Sequence, residues 1–371
     1  MKQSNLLRYL FALFGFLCCI GLCGCVESVE LSERALVQAI GIDVEDGEYT
    51  VTIQYFSPEN GGGQAMLDIS KPNNYILSST GSTLMEALSK AEQRQGKDIF
   101  YVHNKLLVIG KEAASQGVTY LTEYFSGNDD IKANVLVCIA DSKASEVVGA
   151  QIEQGILPAA SLKKLLENAE ENGQTSSCEL ISVTRSLIEQ NGDTVLPAVQ
   201  IQKEEDKELI TLSGLALVQD YHLREILPQE DCTGFLFCKK SVSRRALVCK
   251  LDEERTVTLT PVRSNVSRKL SGDKSELTVQ IHVLSDVAEV LSEEPSPLSE
   301  QDLDILEQLQ EKQLEQAVLD FYNHYVRTSG ADYLGLFSNT TLSREEIGKF
   351  LSEIELNVEV STDIRRNNQQ N

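Results

Sequence analysis

The sequence predicts an α+β protein with mixed, largely antiparallel sheets flanked by helices, behind a lipoprotein signal peptide. Three observations carry this. Runs of alternating apolar and polar residues are separated by short turn signals, as in hairpin-linked strands. Amphipathic stretches of helical spacing lie among them, without the regular strand–helix alternation of a doubly wound sheet. Near the N-terminus an apolar run ends in Leu22-Cys23-Gly24-Cys25.

The leader comes first. Lys2 and Arg8 precede a run from Tyr9 to Gly24 that is shorter than the roughly 20 residues needed to span a bilayer. An aliphatic residue, a small residue and Gly before Cys25 form a lipobox-like pattern. The small residues let the chain enter a processing site in extended form, and the Cys25 thiol is the nucleophile that accepts diacylglycerol. Cys25 is therefore expected to be the first mature residue and the lipidation site, with everything after it outside the cytoplasmic membrane. Acyl chains give durable anchoring through burial of their methylenes.

In the mature chain, 36–43 and 48–57 read as strands joined by a Glu45-Asp46-Gly47 turn, a hairpin signal. Tyr49, Val51, Ile53 and Tyr55 alternate with Thr50, Thr52 and Gln54, which predicts a half-buried strand. The glycines of 58–63 form a loop and not a phosphate cradle, because no Lys and Ser/Thr follow in the required places. Residues 83–93 read as a helix with a Thr83/Glu86 capping box. Residues 105–109 and 133–140 read as buried strands. Helices are expected at 111–125 (interrupted at Gly117), 159–170 and 179–190, the last with Leu180, Val183, Leu187 and Ile188 as its apolar stripe.

The charge run 202–208 is read as a hinge between two halves. Strands at 209–219 and 223–227 follow, joined by a turn at Asp220, then strands at 255–260 and 276–290. Ser299 is an N-cap for helical material reaching Arg327, as one helix or two, with Leu303, Leu306, Leu314, Val318, Tyr322 and Tyr325 facing inward. An alternating strand at 353–364 closes the fold. The expected division is a signal peptide at 1–24, an N-terminal region at 25–202 with a sub-boundary inside it, a C-terminal domain at 203–364 and a polar tail at 365–371.

With 371 residues, 42% of them apolar, the chain can build two or three ordinary cores. Its net charge of −23 argues against nucleic-acid binding and against adhesion to anionic lipid. The four histidines, His103, His222, His282 and His324, fall in no metalloprotease pattern, and nucleophile-elbow and nucleotide-loop motifs are missing. After Cys25 come Cys138, Cys178, Cys232, Cys238 and Cys249, whose spacings do not suit zinc. Cys138 reads as a core residue, and a Cys232–Cys238 disulfide stays open. Acidic pairs such as Glu204 and Glu205 read as a solvated face. No catalytic residue, metal ligand or cofactor is expected, so Cys25 is the one site residue.

Several segments together resemble the Ger(x)C family, the lipoprotein C subunits of spore nutrient germinant receptors. They are the lipobox followed by Ala39-Ile40-Gly41-Ile42-Asp43, the stretch from Val102-His103-Asn104 to Gly110, Pro197-Ala198, Gly214-Leu215-Ala216-Leu217 with Asp220, and Gly330-Ala331-Asp332-Tyr333-Leu334-Gly335-Leu336. The resemblance implies three α+β domains and no enzymatic activity. It implies a lipid-anchored subunit at the outer face of the inner spore membrane, acting with integral membrane A and B subunits in nutrient sensing. The alternative, an extracytoplasmic solute-binding lipoprotein of a transporter, calls for two lobes of alternating βα units, which this sequence lacks.

Overall fold

The computed structural model describes residues 34–57, 74–95, 98–150, 152, 158–204, 207–293 and 297–365. The leader, Cys25 and the 58–63 loop lie outside the described residues.

The first sheet begins with a hairpin. Strands Arg34–Glu45 (β1) and Glu48–Phe56 (β2) pair antiparallel around Asp46 and Gly47, which hold φ of 52° and 81°. Positive φ at both central positions matches the right-handed strand twist, which explains the Asp-Gly. Asn74–Gly81 (β3) adds antiparallel to β2, and the short Asp98–Phe100 (β4) pairs with β1. Leu106–Gly110 (β5) and Leu136–Ala140 (β6) then continue the sheet in parallel from β1. Next come Thr194–Glu204 (β7), Lys207–Gln219 (β8) and His222–Pro228 (β9), giving the order β3-β2-β1-β5-β6-β7-β8-β9.

Helices cover both faces of this sheet. Leu84–Gln95 (α1), Lys111–Gln116 (α2) and Leu180–Glu189 (α5) share one core with Ile40, Ile42, Ile53, Ile109 and Ile139. Ala144–Gly149 (α3) and Pro158–Glu171 (α4) pack on the opposite face against Leu106, Val108 and Cys138. The second helical layer corrects the half-buried reading of β2. Thr52 and Gln54 are as buried as Val51 and Ile53. The Gln54 amide donates to the Val148 carbonyl at 3.2 Å and accepts from the Ala159 N–H at 3.1 Å, so its polar atoms are satisfied inside. The stripe on α5 is narrower than expected, because Ile188 points outward and is 62% exposed.

Chain breaks follow local chemistry. The expected helix from Lys111 stops at Gly117, where φ is 131°, and resumes as a π-helical turn at Leu121–Phe125. On α1 the Thr83 hydroxyl accepts from the Glu86 N–H at 3.1 Å, while the Glu86 carboxylate reaches back one residue further, to the Ser82 N–H. The charge run 202–208 falls at the closing end of the β7–β8 hairpin, where Glu204 pairs with Lys207.

The second sheet has the order β10-β11-β12-β13. Its long hairpin joins Thr256–Leu270 (β11) to Glu276–Leu291 (β12). β11 runs well past the expected end because Pro261 sits at a bulge, where a missing N–H is tolerated. Leu247–Lys250 (β10) and Cys232–Lys239 (α6) were not anticipated from the sequence. Glu300–Phe321 (α7) starts at a full Ser299/Asp302 capping box and continues into a π-helical turn at Tyr322–Arg327, so the late helical stretch is one column. Arg344–Glu353 (α8), also unanticipated, leads into Glu355–Arg365 (β13), which pairs parallel with β12. The helices cover one face of this sheet around Val279, Ile281, Val318, Phe321 and Leu351.

One carboxylate ties β1 to α3. Asp43 accepts the Ala144 N–H at 2.7 Å and the Ser145 N–H at 2.9 Å. Both donors belong to a helix start that has no cap of its own. Asp43→Ala is expected to lower the unfolding free energy by about 2 kcal/mol. Ile188→Lys, on the exposed side of α5, is expected to stay within about 0.5 kcal/mol of the parent. Denaturation midpoints of the two variants check both.

Candidate functional site

Among the described residues, several positions in the segments that carry the family resemblance serve as structural fasteners. Gly41 lets α3 approach β1, with a Cβ there only 3.1 Å from the Val148 side chain. A Cβ at Gly110 would lie 2.1 Å from the Asp43 carboxylate, so that position must stay bare for the cap to form. Asn104 is buried, and its side-chain oxygen accepts the Leu106 N–H at 3.3 Å as β5 begins. Gly214 has φ of 149°, and a Cβ on it would lie 1.8 Å from the Leu227 carbonyl oxygen. It is where β8 bends to keep both neighbours.

A network of polar groups joins the turn before β7, the β8–β9 turn, the 330–337 loop and the start of α8. Asp193, 3% exposed, accepts the Asp220 N–H at 3.0 Å and the Arg344 guanidinium at 2.6 Å through one oxygen. Its other oxygen accepts the Asp332 N–H at 2.8 Å. Arg344 also donates to the Asn191 carbonyl at 2.6 Å. Asp332 in turn accepts the Leu336 and Phe337 N–H groups at 2.8 and 2.7 Å, shaping the loop after the π-helical turn. Gln219 adds a bond to the Ser329 carbonyl at 2.8 Å. The turn before β7, the β8–β9 turn, the 330–337 loop and the start of α8 are thus held by one joint.

Electrostatics follow from burial. Desolvation raises the carboxyls of Asp193 and Asp332 above the ordinary value, and their donors offset it only in part. Lys239, beside this loop, donates to the Tyr333 carbonyl at 3.2 Å. Burial, and then the Arg268 guanidinium, bring its ammonium down to about 8.

The carboxylates of the joint are engaged by backbone N–H groups and by Arg344. The four histidines sit at the surface, His103 against Phe100 and His282 beside Ser361. Cys138, Cys178, Cys232, Cys238 and Cys249 are free and buried, so Cys232 and Cys238 are not bridged in the structure. Burial pushes the thiols of Cys178, Cys232 and Cys238 up to about 12, which makes them inert as nucleophiles. Among the described residues no group of His, Cys, Asp and Glu is placed to hold a metal ion. What the site can do is fix the geometry between two bodies. Sequence reasoning picked out Asp220 as a turn and a family motif position and Asp332 as a family motif position, and missed Asp193, Arg344 and Lys239. The Asn191-Gly192-Asp193 turn signal was available, but its partners are 139 and 151 residues away.

Arg344→Met leaves the buried Asp193 carboxylate without its cation. With Arg344 itself 32% exposed, the expected loss is about 2–3 kcal/mol, and Arg344→Lys restores less than half of it, for want of the planar fork. Urea unfolding measures both. Lys239 gives a pH signature. Between about 8 and its ordinary 10.5 the unfolded chain holds a proton that the folded chain has released, so this group makes stability rise with pH there. The stability difference between parent and Lys239→Met should climb over that window and stay level below about pH 7.

Comparison with known proteins is consistent across the chain. The model described as "Spore germination protein N-terminal domain" matches residues 27–201, and "Spore germination B3/ GerAC like, C-terminal" matches residues 213–368. The Bacillus subtilis (strain 168) protein YfkR, which carries a spore-germination designation, is 22% identical over 278 residues, covering 72% of this chain and 71% of its own. Spore germination protein KC of the same organism is 25% identical over 206 residues, covering 54% of this chain and 51% of its own. The crystal structure of the GerBC protein superposes with a TM-score of 0.53 at 14% identity, covering 88% of this chain and 96% of that one, and so shares the multi-domain α+β fold. With two successive family models spanning most of its length, the chain belongs to the Ger(x)C family of spore germination proteins.

Proposed function

We propose that this Ger(x)C chain, a C subunit of a spore germinant receptor, works as a lipid-anchored assembly and signalling subunit at the outer face of the inner spore membrane. The observation that carries the reading is the ordered match of both family halves. Nothing among the matches favours the transporter alternative.

Cys25 is the anchor in this reading. Its support is the lipobox-like Leu22-Cys23-Gly24-Cys25 after a short apolar run and two basic residues. Among the described residues no helix is long and apolar enough to cross a membrane. Diacylglycerol on Cys25 would confine the acidic body to the surface and raise its effective concentration beside integral membrane A and B subunits. The body joins that assembly as a rigid unit, because the Asp193 joint leaves its two sheets little freedom. Nutrient bound by the assembly shifts an equilibrium that this subunit shares. No catalytic step is assigned to it.

Spores lacking this chain are expected to lose or weaken the response to at least one nutrient while still germinating with non-nutrient triggers. Spores carrying Cys25→Ala should respond in part, with the protein shifted from the membrane to the soluble fraction. Normal germination of both strains with every nutrient tried would overturn the reading.

A further inference from the structure

The last strand is an edge strand that is guarded at both ends and open in the middle. Among the described residues β13 bonds to β12 on one side only. On the other side its even-numbered residues point their backbone groups outward, as shown by what caps them. The Thr362 N–H donates to Glu311 at 3.0 Å and the Ile364 N–H to Glu307 at 2.9 Å, both carboxylates reaching over from α7. At the other end the Ile354 carbonyl accepts from Arg327 at 2.6 Å. Such side-chain caps stop a bare strand edge from pairing with other chains. β3, one edge of the first sheet, is treated the same way, with Arg94 and Lys90 of α1 donating to the Ser78 and Thr80 carbonyls at 2.8 and 3.2 Å. Between the caps of β13 lie Leu356, Val358 and Val360. Among the described residues no hydrogen bond from outside the β12 ladder reaches them.

The two faces of this gap differ. Leu356, Val358 and Val360 are half-buried, leaning on the second core with one side uncovered. On the opposite face Glu355, Glu359 and Asp363 are exposed. Among the described residues no lysine or arginine pairs with these three. Glu359 is held by the Gln280 amide at 2.8 Å, and Asp363 lies 3.5 Å from His282. We infer that β13 between Leu356 and Val360 accepts an extended strand from a partner polypeptide that alternates apolar and basic residues. The partner's backbone completes the open hydrogen bonds, its apolar side chains cover the half-buried rim, and its basic side chains face the carboxylates. The caps on Ile354 and Thr362 set the register by limiting pairing to the interval between them.

Charge selects this occupant over the others. A second copy would add its own Glu355, Glu359 and Asp363 to the same face, on a chain already at −23. Of this chain's own undescribed segments, 26–33 carries three glutamates and no base, 58–73 carries Glu59 and Asp68 against the single base Lys71, and 366–371 has no apolar residue.

The test uses the full chain and a seven-residue synthetic peptide alternating lysine and valine. Controls are the same peptide with glutamate for lysine and one N-methylated at alternate backbone positions. The expected result is binding of the basic peptide alone, with amide exchange at Leu356, Val358 and Val360 slowed about tenfold or more. Val358→Pro removes one outward N–H without touching the β12 ladder and should abolish binding. Glu359→Lys, which leaves the backbone alone, should weaken the basic peptide and admit the acidic one. Unprotected amides, equal binding of basic and acidic peptides, or unchanged binding by Glu359→Lys would overturn the inference. So would self-association of the chain that protects the same three amides without peptide.

Discussion

Everything else in this molecule depends on two strands, β7 and β8, that have no solvent face at 194–199 and 214–218. β7, β8 and β9 close the first sheet, yet alternate residues along them belong to different cores. Leu196, Ala198, Ala216 and Val218 pack with the first core, while Val195, Leu215, Leu217 and Leu227 pack with the second. A strand's side chains alternate strictly, so a slip of one residue would exchange the two sets and spoil both cores at once. Two bodies that the family models treat as successive regions are therefore joined through shared strands.

Buried carboxylates finish what the apolar residues begin. Asp43, Asp193 and Asp332 each sit inside the protein and each accepts two or more N–H groups from backbone that has no partner of its own. Asp193 and Asp332 are linked in series, since the N–H of the second donates to the first. An unpaired buried N–H costs about as much as a lost hydrogen bond, so these aspartates define loop shapes that hydrophobic packing alone would leave loose. The acidity of the surface solubilises the chain, whereas these few interior acids organise it.

Sequence alone determined what is local. The Asp46-Gly47 hairpin and the Ser299 cap are encoded within a few residues, and the structure places them where the pattern says. α8 carries the same kind of signal in Ser343 and Glu346, a full capping box in the structure, although it was not anticipated. α6 gave no periodic signal, because Phe235, Leu236, Phe237 and Cys238 are consecutive and all buried between helix and sheet.

Tertiary structure decided the rest. That Thr52 and Gln54 are inside depends on α3 and α4 arriving from about a hundred residues away. The joint at Asp193 depends on Arg344, and the open gap in β13 on Glu311 and Arg327, none of which is near its partner in the chain. Periodicity reports the environment a residue needs, averaged over its neighbours. It carries no information on which distant group supplies a hydrogen bond, and it is at such long-range bonds that this protein sets the geometry of its two halves.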